Sequence, residues 1–358
     1  MTTIDVKTEP RSTREILAWS RTTVEPALRA AVNTLPPSMR HIAGYHFGWW
    51  NEHGQLYQDP KKNPKKGPEK RTGGKSIRPT LVLLSAQAVG GIPDTTVPAA
   101  AAVELAHNFS LVHDDVMDGD LTRRHRPTVW RVFGLNTAIL AGDALLTLAL
   151  DVLATSGHPA ATDATRMLSV AIQALVDGQS ADLGLEQRVE VELAECVSMA
   201  QRKTGALIEC ACAVGATFGG GSPRQVEHFR RFGAHLGLAF QHVDDLLGIW
   251  GDPAVTGKPV YSDLLSRKKS LPVVAALVSG TPAGPELAEL YQREAPLSDT
   301  DLAHAADLID IAGGRTWSQT QVDDLLTQAM RDLESASPTP RAARELDALA
   351  RQATHRDN

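Results

Sequence analysis

The chain has 358 residues, of which 42% are apolar and 22% are charged, a composition typical of a globular protein with a hydrophobic core. Its formal net charge of −6 argues against a general nucleic-acid-binding protein, which would carry excess positive charge. The three cysteines are too few for a disulfide framework. Their number therefore predicts a reduced, cytoplasmic protein.

The chain opens with a polar segment that lacks the apolar stretch of a signal peptide, and we predict that residues 1–12 are disordered. Ser12-Thr13-Arg14-Glu15 has the form of a capping box and predicts the start of the first helix. Apolar residues then recur with helical period, and no run of alternating β-type residues is evident. Further helices are predicted near 37–50, 77–90, 94–118, 134–155, 158–186, 189–217, 223–250, 271–279, 284–294, 299–312, 317–335 and 338–354. The expected fold is all-α, with a single domain over 13–355.

Two stretches between these elements differ in composition. Residues 59–75 hold six lysines, one arginine and three prolines, which predicts a solvated, mobile basic loop or a cover that attracts anionic substrate. Residues 132–154 form the longest apolar stretch, interrupted by Asp143 and Asp151. We expect that stretch to be a buried helix rather than a membrane span.

Asp114, Asp115 and Asp118 form the sequence DDVMD at the end of a predicted apolar helix. At 100° per residue, Asp114 and Asp118 lie one turn apart on the same face. Neighbouring carboxylates repel one another, and a divalent cation relieves that repulsion. Their hard oxygen ligands suit Mg²⁺, which often bridges to substrate phosphates. The alternative interpretation is an acidic helix end that faces solvent.

A second acidic cluster follows in FQHVDDLLGIWGD, where Asp244 and Asp245 lie on another apolar helix and Asp252 lies in the following turn. Gly248 occupies the position that corresponds to Asp118, so this cluster has one carboxylate fewer. Clusters at the ends of two apolar helices can face each other across a bundle and hold a shared metal–phosphate group.

Basic residues flank both clusters. Each one alone is typical of a solvated surface charge, but together with the acidic pairs they suit clamps for two diphosphates. They are Lys75, Arg78, Arg123, Arg124, Lys203, Lys258, Lys268 and Lys269. His107 lies on the helix of the first cluster and, taken alone, is typical of a satisfied core residue. No nucleophile triad, P-loop or zinc signature is evident.

Several ordered motifs carry a resemblance to a known family. They are GGKSIRP, ELAHNFSLVHDDVMD, TRRHRPT, GDALL, GQSADL, KTGALI, FQHVDDLLG and GDPAVTGKPVYSDLLSRKKSLP. From about Gly73 to Pro272 the chain resembles the trans-isoprenyl diphosphate synthases, in particular short-chain bacterial enzymes of the geranylgeranyl diphosphate synthase type. The resemblance implies a helical bundle with a central substrate cavity, and a homodimer without a membrane span or a nucleic-acid partner.

The resemblance also implies residue roles, with two diphosphate sites and three Mg²⁺ ions. Asp114 and Asp118 would hold two ions and Asp244 the third, with Asp115 and Asp245 as accessory residues. The allylic diphosphate would contact Arg123, Lys203, Thr204, Gln241 and Lys258. Isopentenyl diphosphate would bind to Lys75, Arg78, His107 and Arg124, and Lys268 is assigned to substrate binding as well. Gly248 departs from the family's second DDxxD motif, and Ser76 replaces a residue that is basic in many relatives.

Product length in this family is set by the residues just before the first cluster, here Phe109 and Ser110. One bulky and one small side chain suggest a C20 product, with C15 as the second choice. Two further hypotheses remain, a class I terpene cyclase and a non-catalytic subunit of a heteromeric synthase. A cyclase would have no use for the isopentenyl site.

Overall fold

The computed structural model describes residues 9–56, 76–186, 188–253 and 259–354. The predicted basic loop at 59–75, together with Lys75 and Lys258, lies outside these ranges. The helices of the first half are α1 (Thr13–Asn33), α2 (Pro37–His46), α3 (Ile77–Ala88), α4 (Pro93–Met117), α5 (Val129–Phe133), α6 (Leu135–Ala154) and α7 (Ala161–Glu186). Those of the second half are α8 (Leu193–Ala200), α9 (Ala206–Phe218), α10 (Pro223–Trp250), α11 (Ser262–Leu265), α12 (Leu271–Leu277), α13 (Ala283–Gln292), α14 (Asp299–Ile311), α15 (Gly314–Ser335) and α16 (Pro340–Thr354).

The all-α prediction is confirmed, and the long helices lie close to their predicted positions. The capping box at Ser12 is also confirmed, because the Ser12 backbone N–H donates to Glu15 Oε2 at 2.8 Å. Three short features escaped prediction because they lack a repeating apolar pattern. These are α5, α11 and a hairpin of β1 (Thr122–Arg123) with β2 (Arg126–Pro127). The predicted helix at 189–217 contains a π-helical turn, Gln201–Gly205, between α8 and α9.

The main core surrounds α4, whose residues Ala99 to Ala102 are fully buried. Small side chains allow close packing, and α4 lies against α3, α6 and α9. α10 packs against α9 and α15, and α9 also packs against α3. A second apolar cluster joins the end of α10 to α11–α14 through residues such as Ile249, Leu264 and Leu302.

Backbone contacts set the spacing of the helices near the Asp-bearing ends. An ideal Cβ on Gly237 of α10 would lie 2.7 Å from the Gly205 Cα in the π-turn. An ideal Cβ on Gly178 of α7 would lie 2.8 Å from the Lys203 Cα. Only glycine permits these approaches. α7, the π-turn and α10 therefore pack with almost no side chains between them.

The expectation that 132–154 is a buried helix is wrong for one face of α6. Only 39% of its most apolar window is buried, and by length and composition alone α6 is the one helix among the described residues that could cross a membrane. Leu135, Ile139 and Leu140 are exposed on it, while its opposite face packs on α4.

The N-terminal segment joins the C-terminal helix. Arg11, within the segment predicted to be disordered, forms an ion pair of 2.6 Å with the buried Glu345 of α16. Residues 1–8 and 355–358 lie outside the described part of the chain.

Candidate active site

The first acidic cluster lies at the C-terminal end of α4. Asp114 is half-buried, and Asp118, which caps the helix, is exposed. Burial raises the pKa of Asp114 to about 6, with Asp118 adding to the rise and Lys203 opposing it. Burial also raises the pKa of Asp118. The helix dipole adds partial negative charge at this end, so the cluster favours a cation.

Asp115 differs from its two neighbours in orientation. It is 1% exposed and forms an ion pair with Arg123 of the hairpin. Burial raises its pKa to about 6 although Arg123 opposes the rise. Asp115 Oδ2 has no hydrogen-bond partner among the described side chains and backbone. Asp115 thus holds Arg123 at the edge of the cluster. Its carboxylate does not face the same side as that of Asp114.

The π-turn presents Lys203 and Thr204 towards the acidic groups. Lys203 Nζ donates to Asp182 Oδ2 of α7 at 2.5 Å. Burial raises the pKa of Glu186, one turn further along α7, with Asp182 and Asp118 adding to the rise. π-turns are frequent at functional sites because they redirect side chains that a regular helix would point elsewhere.

The second acidic cluster lies near the C-terminal end of α10. Asp245 is 3% exposed, and it accepts hydrogen bonds from Gln241 Nε2 at 2.7 Å and from the Leu271 backbone N–H at 2.9 Å. Thr204 Oγ1 donates to Gln241 Oε1. Burial raises the pKa of Asp245 to about 6, with Lys268 opposing the rise. Asp244 lies beside Asp245 and is half-buried.

Lys268 connects the two clusters. Burial alone would lower its pKa, but four carboxylates together raise it above its ordinary value. They are Asp245 of the second cluster, Asp118 of the first, and Asp263 and Asp182, which belong to neither. The next residue, Lys269, points elsewhere, and its Nζ donates to the carbonyls of Leu185, Glu186 and Arg188 at the end of α7. An ammonium group among four carboxylates is the kind of environment that also suits a divalent cation.

A separate group of cations lies on the α3 side of α4. Arg78 Nη1 lies 3.3 Å from His107 Nε2. Burial lowers the pKa of His107 well below its ordinary value, and Arg78 and Arg124 lower it further. His107 is therefore neutral near pH 7, and its Nε2 accepts the hydrogen bond from Arg78. Burial lowers the pKa of Arg124, and the charge of the buried Glu104 opposes that change.

The chain as a whole is similar to known proteins. A family model described as polyprenyl synthetase matches residues 69–309. The chain is 44% identical over 344 residues to a (2E,6E)-farnesyl diphosphate synthase of Mycobacterium tuberculosis, with 95% of this chain and 92% of that protein covered. It is 42% identical over 328 residues to a geranylgeranyl diphosphate synthase of the same organism, with 91% and 90% covered.

A solved structure agrees with these matches. The polyprenyl synthetase of Streptomyces coelicolor has a TM-score of 0.88 and 46% identity to this chain, with 95% of this chain and 99% of that one covered. The chain belongs to the polyprenyl synthetase family. It is a prenyltransferase, and members of this family are generally magnesium-dependent.

The candidate site of this polyprenyl synthetase is bordered by residues to which the sequence assigned no role. Asp182 lies in the recognised motif GQSADL, so its position could have been inferred from the sequence. His46 and Asn108 are joined by a hydrogen bond of 3.0 Å between His46 Nε2 and Asn108 Oδ1, and Asn108 Nδ2 donates to Glu104 Oε1 at 3.1 Å. His46 comes from α2, outside every recognised motif, and no sequence signal identified it.

Phe109 and Ser110 lie on α4 one turn before Asp114, as expected. Phe109 is 4% exposed, and its ring contacts the His113 ring edge-to-face with centroids 5.6 Å apart. Ser110 is also buried, and its hydroxyl donates to the His107 carbonyl at 2.9 Å. Both side chains are thus packed within the apolar part of the bundle.

The residues fit magnesium in kind, since carboxylate oxygens dominate both clusters. Among the described residues, no three His, Cys, Asp or Glu side chains form a group that could hold an ion. An ion at either cluster would therefore draw further ligands from phosphate oxygens and water, as Mg²⁺ commonly does.

Proposed function

We propose that this chain condenses isopentenyl diphosphate with an allylic diphosphate to a linear product, C20 geranylgeranyl diphosphate, with three Mg²⁺ ions. The observation that carries the proposal is the position of the π-turn between the two clusters. Lys203 Nζ donates to Asp182 and opposes the rise in the pKa of Asp114, while Thr204 Oγ1 donates to Gln241, which donates to Asp245. The two clusters therefore border one site, where a diphosphate can lie between them.

Asp114, Asp118 and Asp244 would hold the magnesium ions, which neutralise the allylic diphosphate and make it a better leaving group. Arg123, Lys203 and Lys268 supply fixed positive charge towards the same diphosphate, together with Lys258 outside the described residues. Asp115 orients Arg123, and Asp182 orients Lys203. The side chains act mainly through preorganised electrostatics, which stabilise the separated charges of the transition state.

Arg78, His107 and Arg124 suit the second diphosphate. Neutral His107 can donate through Nδ1, and the two arginines supply positive charge. With Lys75, they would hold isopentenyl diphosphate so that its double bond attacks the allylic carbon. The proton then lost would pass to the departing diphosphate. This second site favours a condensing enzyme over a terpene cyclase, which needs only one diphosphate.

The buried, bulky Phe109 and the small Ser110 support a C20 product, because growth of the chain stops where a large side chain blocks the cavity. Relatives with over 40% identity carry both the C15 and the C20 names, so C15 is the alternative. The experiment is to incubate the protein with Mg²⁺, isopentenyl diphosphate and a C10 or C15 starter and to identify the products. Linear C20 diphosphate is expected, whereas a cyclic hydrocarbon or no turnover would contradict the proposal.

Phe109→Ala tests directly whether Phe109 limits the length of the product. Removing the buried ring leaves a cavity where growth of the chain is proposed to stop, so we expect products longer than C20 with the overall fold retained. Chromatography of the dephosphorylated products measures the shift. Phe232→Ala is a matched control, because Phe232 is equally buried but lies on α10. An unchanged distribution of product lengths in Phe109→Ala would show that Phe109 does not limit product length.

The protein acts as a cytoplasmic homodimer that joins through the exposed face of α6 and α7. Leu135, Ile139 and Leu140 on α6 and Val170 on α7 are each at least 40% exposed, and an open groove runs between the two helices. An apolar face of this kind is typical of a protein–protein interface. The three cysteines are free and buried, which suits a reducing compartment.

Leu140→Glu should therefore shift the protein from dimer to monomer in sedimentation velocity, because a charge would be buried at the interface. Ile311→Glu is the control, since Ile311 is 73% exposed on α14, which packs against α11, α12, α13 and α15 instead. A dimer that persists in Leu140→Glu would place the interface elsewhere.

A further inference from the structure

Helix α2 lies beside the β-hairpin that carries Arg123 and Arg124, although it precedes every recognised motif. Tyr45 and His46 are the last two residues of α2, and they line the same cavity as the two arginines. Side chains one position apart on a helix point about 100° away from each other. The two residues can therefore contact different elements, and they do.

Tyr45 is bound to the hairpin. Its hydroxyl donates to the Pro127 carbonyl at 2.8 Å, and Arg126 Nη1 donates to the Tyr45 carbonyl at 2.8 Å. The Arg126 guanidinium also lies over the Tyr45 ring, 4.2 Å from its centroid, where a cation is attracted to the face of the ring. Both residues of β2 are thus attached to the last turn of α2.

The turn of this hairpin needs such an attachment. Its two central residues, Arg124 and His125, have φ angles of 52° and 62°. Hairpin turns usually place asparagine or glycine in this left-handed region. Larger side chains remain there only where the surrounding structure holds them. Because β2 directly follows the turn, its contacts with Tyr45 help to fix the direction of Arg124.

His46 reaches α4 instead of the hairpin. Asn108 of α4 is fully buried, and its Nδ2 donates to the Glu104 carbonyl at 2.7 Å and to Glu104 Oε1 at 3.1 Å. Asn108 Oδ1 is therefore the acceptor in the contact of 3.0 Å with His46 Nε2. Burial lowers the pKa of His46 to about 3, and Arg124 and Arg123 lower it further. The neutral imidazole thus donates to Asn108.

This hydrogen-bonded chain leads to the second diphosphate site. Asn108 follows His107 on α4, and His107 contacts Arg78 at that site. The charge of Glu104, at the end of the chain, opposes the lowering of the pKa of Arg124. His46 is therefore connected to the α4 part of the site, and the neighbouring Tyr45 to the hairpin part.

The two arginines of the hairpin are held in different ways. Arg123 forms an ion pair with Asp115, and its Nη2 lies 3.6 Å from Asp120 Oδ2. Arg124 forms no ion pair with any residue that the structure describes, so its position depends on the hairpin backbone. Loss of the contacts to α2 should therefore disturb Arg124, while Arg123 keeps its own carboxylate partners.

We propose that Tyr45 and His46 are positioning residues for the second diphosphate site, which set the distance between Arg124 on the hairpin and His107 on α4. Tyr45 acts through the hairpin, and His46 acts through Asn108. Neither residue needs to contact the substrate. The proposal rests on the proposed function, since it takes isopentenyl diphosphate as the ligand of this site.

The test measures KM for isopentenyl diphosphate and KM for the allylic diphosphate separately, each at a saturating concentration of the other substrate. Tyr45→Phe removes the hydroxyl and keeps the ring under Arg126. His46→Ala removes the donor to Asn108, and His46→Gln restores a neutral N–H donor. Ile42→Ala is the matched control, because it weakens the buried packing of α2 and removes neither hydrogen bond. Thermal unfolding shows whether each variant is folded.

Tyr45→Phe and His46→Ala should each raise KM for isopentenyl diphosphate about fivefold or more, as loss of one hydrogen bond does. KM for the allylic diphosphate should stay at its wild-type value. His46→Gln should recover most of the loss, and Ile42→Ala should lower the unfolding temperature without changing either KM. Tyr45→Phe is the mildest change and carries the test if His46→Ala does not fold.

A wild-type KM for isopentenyl diphosphate in Tyr45→Phe would overturn the proposal, and so would a wild-type value in folded His46→Ala. An equal rise in both KM values would also overturn it, because the effect would then not be confined to the second site. The same rise in Ile42→Ala would show that general loosening of α2 is the cause, against the proposal.

Calorimetric binding of isopentenyl diphosphate, which needs no turnover, separates this proposal from the proposed function. If the wild type makes no prenyl product but binds isopentenyl diphosphate more tightly than Tyr45→Phe does, the function fails and the role of α2 stands. If product forms and KM does not respond to Tyr45 or His46, the role of α2 fails alone. A wild type that neither forms product nor binds isopentenyl diphosphate would overturn both.

Discussion

The two acidic clusters are built in different ways. Asp114 and Asp118 come from consecutive turns of one helix, so their relative position follows from the helix geometry alone. Asp244 and Asp245 of the second cluster are neighbours on α10, and contacts from other elements hold Asp245. Thr204 of the π-turn donates to Gln241, which donates to Asp245, and the Leu271 backbone N–H donates to Asp245 as well. A local cluster is visible in a sequence. An assembled one depends on tertiary contacts that only the fold provides.

The largest expected effect concerns loss of a principal carboxylate from each cluster. Asp114→Asn should lower turnover by about 10³-fold, and Asp244→Asn by about 10²-fold. The difference arises because the buried Asp245 remains next to position 244, whereas only the exposed Asp118 remains on the face of Asp114. Steady-state assays at saturating Mg²⁺ measure both variants.

Asp307→Asn on α14 serves as the control for that pair, since Asp307 is exposed and belongs to neither cluster. It should retain wild-type turnover. An equal loss of turnover in Asp114→Asn and Asp244→Asn would show that the carboxylate remaining in the second cluster does not compensate. The expected difference between the two clusters would then be wrong.

A smaller effect is expected from the hydrogen bonds that support the second cluster. Gln241→Leu removes the donor to Asp245 Oδ1 and leaves the buried carboxylate with the Leu271 backbone N–H. We expect kcat/KM to fall about tenfold. Thr204→Val, which removes only the donor to Gln241, should have a weaker effect in the same assay. Unchanged kinetics in Gln241→Leu would mean that the assembled cluster does not depend on this support.

The smallest effect concerns stability and pH. The pKa of Asp114 lies at about 6 instead of the ordinary 3.8, so the folded chain binds more protons than the unfolded chain between these values. Stability of the metal-free protein therefore falls as pH rises through this window. In a chelator at pH 7.5, Asp114→Asn should unfold about 2 °C above the wild type, and at pH 5 the difference should shrink.

Addition of Mn²⁺ and inorganic diphosphate at pH 7.5 should reverse the order, because the wild type gains a ligand that the variant binds poorly. A variant that remains the more stable protein with both ligands present would argue against an ion at Asp114.

The sequence predicted the long helices well because each carries a continuous apolar face with clear ends. It also identified the residues of both clusters, largely through ordered motifs. It could not predict that Asp263 fills the space at Gly248, since the two residues are joined only by the packing of α11. Nor did it identify His46, which reaches Asn108 from a helix that carries no motif. The β-hairpin at Arg123 has only two residues in each strand, too few for an alternating pattern to appear.

The glycine contacts between helices have a consequence for how such an enzyme can be altered. Gly205 and Gly237 bring the π-turn and α10 together at backbone distance, so no side chain controls the separation between Lys203 and Gln241. Substitution there can only push the two helices apart. The spacing of the elements that border the proposed diphosphate site is therefore fixed by main-chain contact. The proposed limit on product length, Phe109, is instead a side chain, so it is the part that remains open to redesign.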